Sequence, residues 1–265
     1  MKAIPKIPGY ELLTCLGGGM LTSVYGARSL TTDSSCAVKV LRPDWADQPT
    51  AIKLLQREAR ACLTVQHSHL VELRRAHVTR PPYFLVMDLL PGESLRRRLR
   101  RDYCLEPATA LWITRQIAEA LAALHHAGFV HGDVKPDNIR IVAEGKPMLM
   151  DLGFAHRPGE NASFLEEGYV LGTVNYLAPE QSGSNPTDNQ ASDLFSLGVT
   201  LFEMLTGQLP DQTSEVLEDI SLPIGAAELM RKLLARLPSD RPRAGRVVQD
   251  LIVLEISALR RRRAA

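Results

Sequence analysis

The spacing of apolar residues changes once along this chain, and that change divides it in two. Between residues 10 and 89 they fall in short runs rich in Val, Leu, Thr or Tyr: Tyr10–Leu16, Ser23–Ser29, Cys36–Leu41, Leu70–Val78 and Tyr83–Leu89. Most are bounded by Gly, Pro or Asp, and runs of this kind predict strands. Ala51–Val65 differs, with Ile52, Leu55, Ala59 and Leu63 at three- and four-residue spacing, which predicts a helix. After Pro91-Gly92 the helical period takes over. Pro107–Ala127 carries Leu111, Ile113, Ile117, Leu121 and Leu124, and Gly128 stops it. Further helices are predicted at Asn189–Thr206, Ala226–Leu237 and Ala244–Leu259. The fold class is therefore α+β. A small β-rich lobe (about 1–87) holds one main helix; a hinge at 88–92, a larger helical lobe (about 93–259) and a basic tail (260–265) follow. Ligands tend to sit in the cleft between two such lobes.

Composition narrows the picture only by exclusion. Of 265 residues, 45% are hydrophobic and 23% charged, which excludes disordered, collagen-like and coiled-coil chains. The 31 basic and 30 acidic residues leave a net charge of +1, so no global field attracts nucleic acid, and no nucleic-acid partner is expected. Cys15, Cys36, Cys62 and Cys104 form no CxxC pair, which argues against zinc or a disulfide framework and suits a reducing compartment. No signal-peptide core and no run of about 20 apolar residues is present, so a cytoplasmic location is expected, with membrane contact only if residues beyond 265 exist. His67, His69 and His77 lack companions at metal-ligand spacing and read as packing or surface residues. The run SLRRRLRRD at 94–102 reads as a solvated helix face rather than as a site for acidic substrates or lipid.

Three phrases carry chemistry. LGGGMLTSVY at 16–25 is a glycine cluster between two strand patterns; glycines let a backbone approach a phosphate and expose N–H groups to it. By itself the cluster is a weak signal, since three glycines more often make a hairpin turn. Lys39 lies within an apolar strand, AVKV, where a lone ammonium is costly unless it finds a partner. Glu58 on the following helix is the candidate, although a solvated helix face is the plainer reading of that residue alone. Beyond the long helix comes HGDVKPDN at 131–138, and eighteen residues past Asp133 comes Asp151 in MDLG. Two carboxylates and an amide on separate loops can hold a divalent metal and aim a hydroxyl, as phosphoryl transfer requires.

In this order and spacing the phrases resemble the motif set of the eukaryotic-type protein kinases, over nearly the whole chain. LGGGMLTSVY is similar to the glycine-rich loop, HGDVKPDN to the catalytic loop, DLG at 151–153 to the metal motif, and Ala178-Pro179-Glu180 to the end of the activation segment. Asp193 matches a buried aspartate of the next helix, and Arg241 the arginine that pairs with Glu180. Lys135 and Thr173 fit the serine/threonine branch, and VMDLLPGESL and YLAPEQ resemble its bacterial members. The resemblance implies a two-lobed fold, with ATP in the cleft, Mg²⁺, and a protein substrate with a Ser or Thr acceptor; self-phosphorylation falls within it. It implies that Lys39 holds the α and β phosphates with Glu58 orienting it, and that Asn138 and Asp151 coordinate Mg²⁺. Asp133 would align the acceptor hydroxyl, Lys135 would touch the γ phosphate, and Thr173 would bond near both. Leu16, Gly17, Gly18, Gly19, Val24 and Ala37 would line the nucleotide from above, Met87 would guard the back of its pocket, and Asp88–Leu90 would bond adenine through the backbone. His131 becomes a structural histidine, and Cys62 and Leu73 would stack with Leu152 and His131.

Three positions depart from the family pattern. Thr22 replaces the third glycine and should stiffen the loop. Gly132 replaces an arginine that binds a phosphorylated residue of the activation segment, which puts such switching in doubt. Ser163 and Tyr169 are then the chief acceptors before Thr173, beside Glu160, Glu166 and Glu167. Arg140 stands where an aliphatic floor beneath adenine is usual. Its stem would pack there with the guanidinium reaching water or a carboxylate, or else the strand shifts so that Ile139 or Ile141 forms the floor. The leading reading is an ATP- and Mg²⁺-dependent protein serine/threonine kinase. The alternatives are a nucleotide-binding or scaffolding pseudokinase and a small-molecule kinase.

Overall fold

The structure, a computed structural model, describes residues 4–161, 172–182, 187–210, 222–223 and 225–264, with side chains described to Ser257. Ser163, Glu166, Glu167 and Tyr169 lie outside the described residues, as do the side chains of Arg260–Arg263. The chain forms two compact units. The first comprises residues 1–66 and 71–91, and the second 67–70 and 92–265.

In the first unit, β1 (Tyr10–Gly18), β2 (Thr22–Ser29), β3 (Ser35–Leu41), β4 (Leu73–His77) and β5 (Phe84–Met87) make an antiparallel sheet ordered β1-β2-β3-β5-β4. Val38, Val40, Phe84 and Val86 bury one face with Ala27 and Cys36. The run predicted from Leu70 pairs as a strand only from Leu73; Leu70 itself belongs to the second unit and bridges Leu149 there. α1 (Pro49–Thr64) buries Ala51, Leu55, Glu58, Ala59 and Cys62, whereas Leu63, read as part of the apolar face, is 64% exposed. The buried stripe is turned by about one residue from the one apolar spacing predicts, because a carboxylate belongs to it.

The second unit is built around α3 (Pro107–His126), whose Leu111, Ile113, Ile117, Leu121 and Leu124 are buried. α4 (Gln190–Thr206) and α6 (Ala244–Ala264) pack against α3, and α5 (Ala226–Leu233) against both of them. α2 (Leu95–Asp102) precedes α3, with Ser94 capping it by accepting from the Arg97 N–H. A small sheet of β6 (Glu93–Ser94), β7 (Ile139–Ile141) and β8 (Pro147–Leu149) frames the loop at 131–138. Strands of two or three residues have no readable period, and only the strand at Arg140 was expected, from the family resemblance. No described helix is long and apolar enough to cross a membrane.

Candidate active site

In the first unit the glycine cluster closes the β1–β2 hairpin, with the Gly19 N–H donating to the Thr22 carbonyl at 3.0 Å. Crowding requires Gly18, where a Cβ would lie 2.6 Å from the Thr22 oxygen, and a φ of +150° favours glycine at Gly17. Space around Gly17 and Gly19 is open. Thr22 starts β2 opposite Leu41, a site where a β-branched residue is at home. Leu16 lies against Gly26, Val24 pairs with Lys39, and Ala37 pairs with Met87. Lys39, in the middle of β3, sends Nζ to both oxygens of Glu58 at 2.9 and 2.7 Å, with both side chains buried. The Asp88 carboxylate accepts from Arg74 Nε at 2.6 Å, and its backbone N–H donates to Glu72. Leu90 is half-buried nearby in sequence.

In the second unit α3 ends at Gly128, and Val130 exchanges backbone hydrogen bonds with His156. The loop that follows is held from below by Asp193 of α4. Its carboxylate accepts from the His131 and Gly132 N–H groups at 2.8 and 2.9 Å and lies 2.8 Å from His125 Nε2. Burial pushes the Asp193 carboxyl up, but its bonds to His125 and the charges of His125 and His131 outweigh this and hold it low. His131 accepts the Asp133 N–H on Nδ1 (3.2 Å), which leaves the proton on Nε2 facing the Met150 carbonyl (3.2 Å). Both nitrogens are thus engaged, as a structural histidine requires. Gly132 takes φ +80°, and a Cβ there would come within 3.0 Å of the Phe154 oxygen.

Asp133 is 5% exposed and gathers three side chains. Its Oδ2 accepts from Asn138 Nδ2 at 2.8 Å and lies 2.6 Å from Lys135 Nζ; its Oδ1 accepts from Thr173 Oγ1 at 2.7 Å. Lys135 Nζ also donates to Thr173 Oγ1 at 2.5 Å, closing a ring of charge-assisted bonds. Asn138 Nδ2 further donates to the Asp133 carbonyl, so its amide oxygen is the atom suited to a cation. Asp151 occupies the left-handed region (φ 60°, ψ 72°), an uncommon state for a non-glycine residue that is typical of functional turns. Its Oδ1 accepts from the Gly153 N–H. No group of three or more His, Cys, Asp or Glu able to hold a metal occurs among the described residues. The oxygens of Asp151 and Asn138 fit Mg²⁺, which takes few protein ligands and completes its shell with water and phosphate.

Arg140 points away from the core side of β7, where Ile139 and Ile141 are buried. The register is unshifted, and Nη2 of the guanidinium donates to the Gly92 carbonyl at 2.7 Å. Burial lowers the Arg140 pKa. The pair between Arg241 and Glu180 is bidentate at 2.6 and 2.7 Å, with the Arg241 side chain fully buried. Burial raises the Glu180 carboxyl, but Arg241, the residue's own backbone and Ser192 outweigh it, and the net shift is downward.

Sequence reasoning missed one cluster. Arg96, assigned to a solvated face, is half-buried and bonds Glu203, Tyr176 and, at 3.0 Å, Asp137. Burial lowers the Arg96 pKa, yet its bonds to Glu203 and Asp137 raise it well above the arginine range; burial and Glu203 together raise Tyr176. Within SLRRRLRRD nothing marks Arg96 except its place between Leu95 and Leu99, the two buried positions. Its neighbours conform better: Arg101 pairs with Glu93 and Asp102 at the surface.

A model of the protein kinase domain matches residues 10–252. The serine/threonine-protein kinase PrkC of Bacillus subtilis is 34% identical over 201 residues, which is 76% of this chain and 31% of that protein. PknB of Mycobacterium leprae is 35% identical, covering 76% of this chain and 33% of its own length. PknD of Mycobacterium tuberculosis is 34% identical, covering 81% and 32%. The chain spans about a third of the length of these curated relatives.

Proposed function

The chain belongs to the protein kinase domain family, and from that membership we propose that it is an ATP- and Mg²⁺-dependent kinase acting on serine or threonine hydroxyls of proteins. The observation that carries this reading is the ring formed by Asp133, Lys135, Asn138 and Thr173. Phosphoryl transfer asks little covalent chemistry of a protein; it needs an acceptor hydroxyl aimed in line and donors for the charge that develops on phosphate. Asp133 Oδ1 already accepts a hydroxyl, that of Thr173, and has lone-pair capacity for a second. The acceptor oxygen attacks the γ phosphorus, the bond to the β-γ bridging oxygen breaks, and the acceptor proton moves towards Asp133. Lys135, held at Asp133 and Thr173, supplies positive charge to the transferring group. Lys39 binds the α and β phosphates, with Glu58 fixing its ammonium. Leu16, Gly17, Gly18, Gly19, Val24, Ala37, Met87, Asp88, Leu90 and Arg140 belong to the nucleotide's surroundings. Asn138 and Asp151 would hold Mg²⁺, which would supply charge neutralisation to the phosphates.

Transfer of radiolabelled phosphate from ATP to a generic protein substrate tests the reading, with Asp133→Asn as control. Labelled serine or threonine from the parent and a loss of about 10²–10⁴-fold in the variant are expected. Nucleotide binding without transfer in the parent would assign the chain to the scaffolding class instead.

A further inference from the structure

Another carboxylate side chain is largely buried in the same unit without a part in the chemistry above. Asp188 lies just before α4, and its side chain is 7% exposed. Three side chains converge on it. His156 Nε2 lies 3.2 Å from Oδ2, Asn161 Nδ2 donates to Oδ2 at 3.2 Å, and Gln181 Nε2 donates to Oδ1 at 3.3 Å. His156 and Asn161 precede residues 162–171 in the chain, and Gln181 follows them.

Each of two arms is anchored at its far end to the Asp133 site. The His156 backbone pairs with Val130, at 2.9 and 3.1 Å, directly before His131 and the loop that carries Asp133. Gln181 Oε1 accepts from the Ala178 N–H at 2.9 Å, and Ala178 follows the turn begun by Thr173. His156 is buried with Nδ1 2.9 Å from the Phe154 carbonyl, so Nδ1 carries a proton and Nε2 is the atom turned to Asp188. That contact lies at ion-pair distance but outside hydrogen-bond alignment. A bare nitrogen lone pair buried beside a carboxylate would be repelled, whereas a proton shared by the two groups turns the contact attractive. Burial and the charges of Asp193 and Glu180 raise the Asp188 carboxyl, against which His156 and Asn161 act.

We propose that Asp188 is a positioning residue: with His156 it clamps the chain on both sides of residues 162–171 to the loop bearing Asp133. The acceptor-binding arrangement then needs no phosphate added to that segment. The inference rests on the kinase reading above, whose site it would regulate.

The test uses the full chain with Asp188→Asn, which keeps shape and removes charge, His156→Ala, and the double variant. Each single change is expected to raise KM for the protein acceptor by about tenfold while KM for ATP stays within about twofold. The double variant should be no worse than the worse single one, since both remove one interaction. Phosphatase-treated parent should keep its activity. Hydrogen exchange at the Val130, His156 and Ala178 amides should quicken by at least about tenfold in the variants, with β7 and β8 unchanged. Additive effects, an unchanged acceptor KM, or parent activity abolished by phosphatase would overturn the proposal. If the parent labels no protein at all, the kinase reading fails, and the exchange measurement alone decides whether the clamp exists.

Discussion

At Lys39 the cost of removing a charge and the cost to chemistry can be measured apart. The ammonium and the Glu58 carboxylate are both buried and bonded twice. Lys39→Ala therefore removes the ammonium proposed to bind phosphate and also takes the buried Glu58 carboxylate's cation away, a loss of roughly 3–5 kcal/mol. Lys39→Ala/Glu58→Gln should melt higher than Lys39→Ala while transferring no more phosphate; equal melting temperatures would mean that the pair contributes nothing to folding. Arg140 invites the opposite expectation. Its guanidinium bonds the Gly92 carbonyl, and burial already disfavours its charge. Arg140→Leu should bind ATP at least as tightly as the parent in nucleotide titration. Binding weakened by about tenfold would show that arginine makes a specific contact with nucleotide. Residues of this kind were legible in the sequence wherever chemistry fixes the type, as at Lys39, Asp133, Asn138 and Asp151. Arg96 was not, because a half-buried arginine and a solvated one look alike among the five arginines of the segment 94–102.

Elements were legible in proportion to their length. The period of 3.6 is clear over the twenty residues of α3, and the strands of the first sheet show as short runs rich in Val, Leu, Thr or Tyr. β6, β7 and β8 have two or three residues each, and their pairing is set by backbone approach rather than by pattern. Gly92 is the residue that permits it. At φ +115° a Cβ would stand 2.1 Å from the Ile141 carbonyl oxygen. Gly92→Ala should cost about 3 kcal/mol or more, through strain and a displaced strand. Gly145→Ala, with φ +80° but open space around it, should cost only about 1–2 kcal/mol. Denaturant midpoints of the two variants separate crowding from backbone strain, and equal shifts would refute the role given to Gly92.

For the molecule as a whole, acid should act through the carboxylates held low in the folded state. Glu180 and Asp193 both lie below their ordinary values of 4.5 and 3.8. Stability from such groups is complete above the unfolded pKa and is lost as pH falls through the folded one. Melting temperature should therefore hold near neutrality and drop in acid below about pH 4.5, and Arg241→Ala should flatten that drop. At neutral pH Arg241→Ala should cost roughly 3–5 kcal/mol. Arg246→Ala, which removes only an exposed pair with Asp250, should cost less than about 1 kcal/mol. Arg241 has a wider reach than its partner, since its remaining donors go to the carbonyls of Ala191, Ala235 and Arg236. One guanidinium thus joins the turn at Glu180, the start of α4 and the connection after α5. Every group assigned to the chemistry is encoded by residue 173, yet the tie that holds the later half of that unit together is encoded 68 positions further on. A chain cut at residue 240 would carry every one of those side chains and lack this tie, leaving the Glu180 turn and the start of α4 without the donor they share.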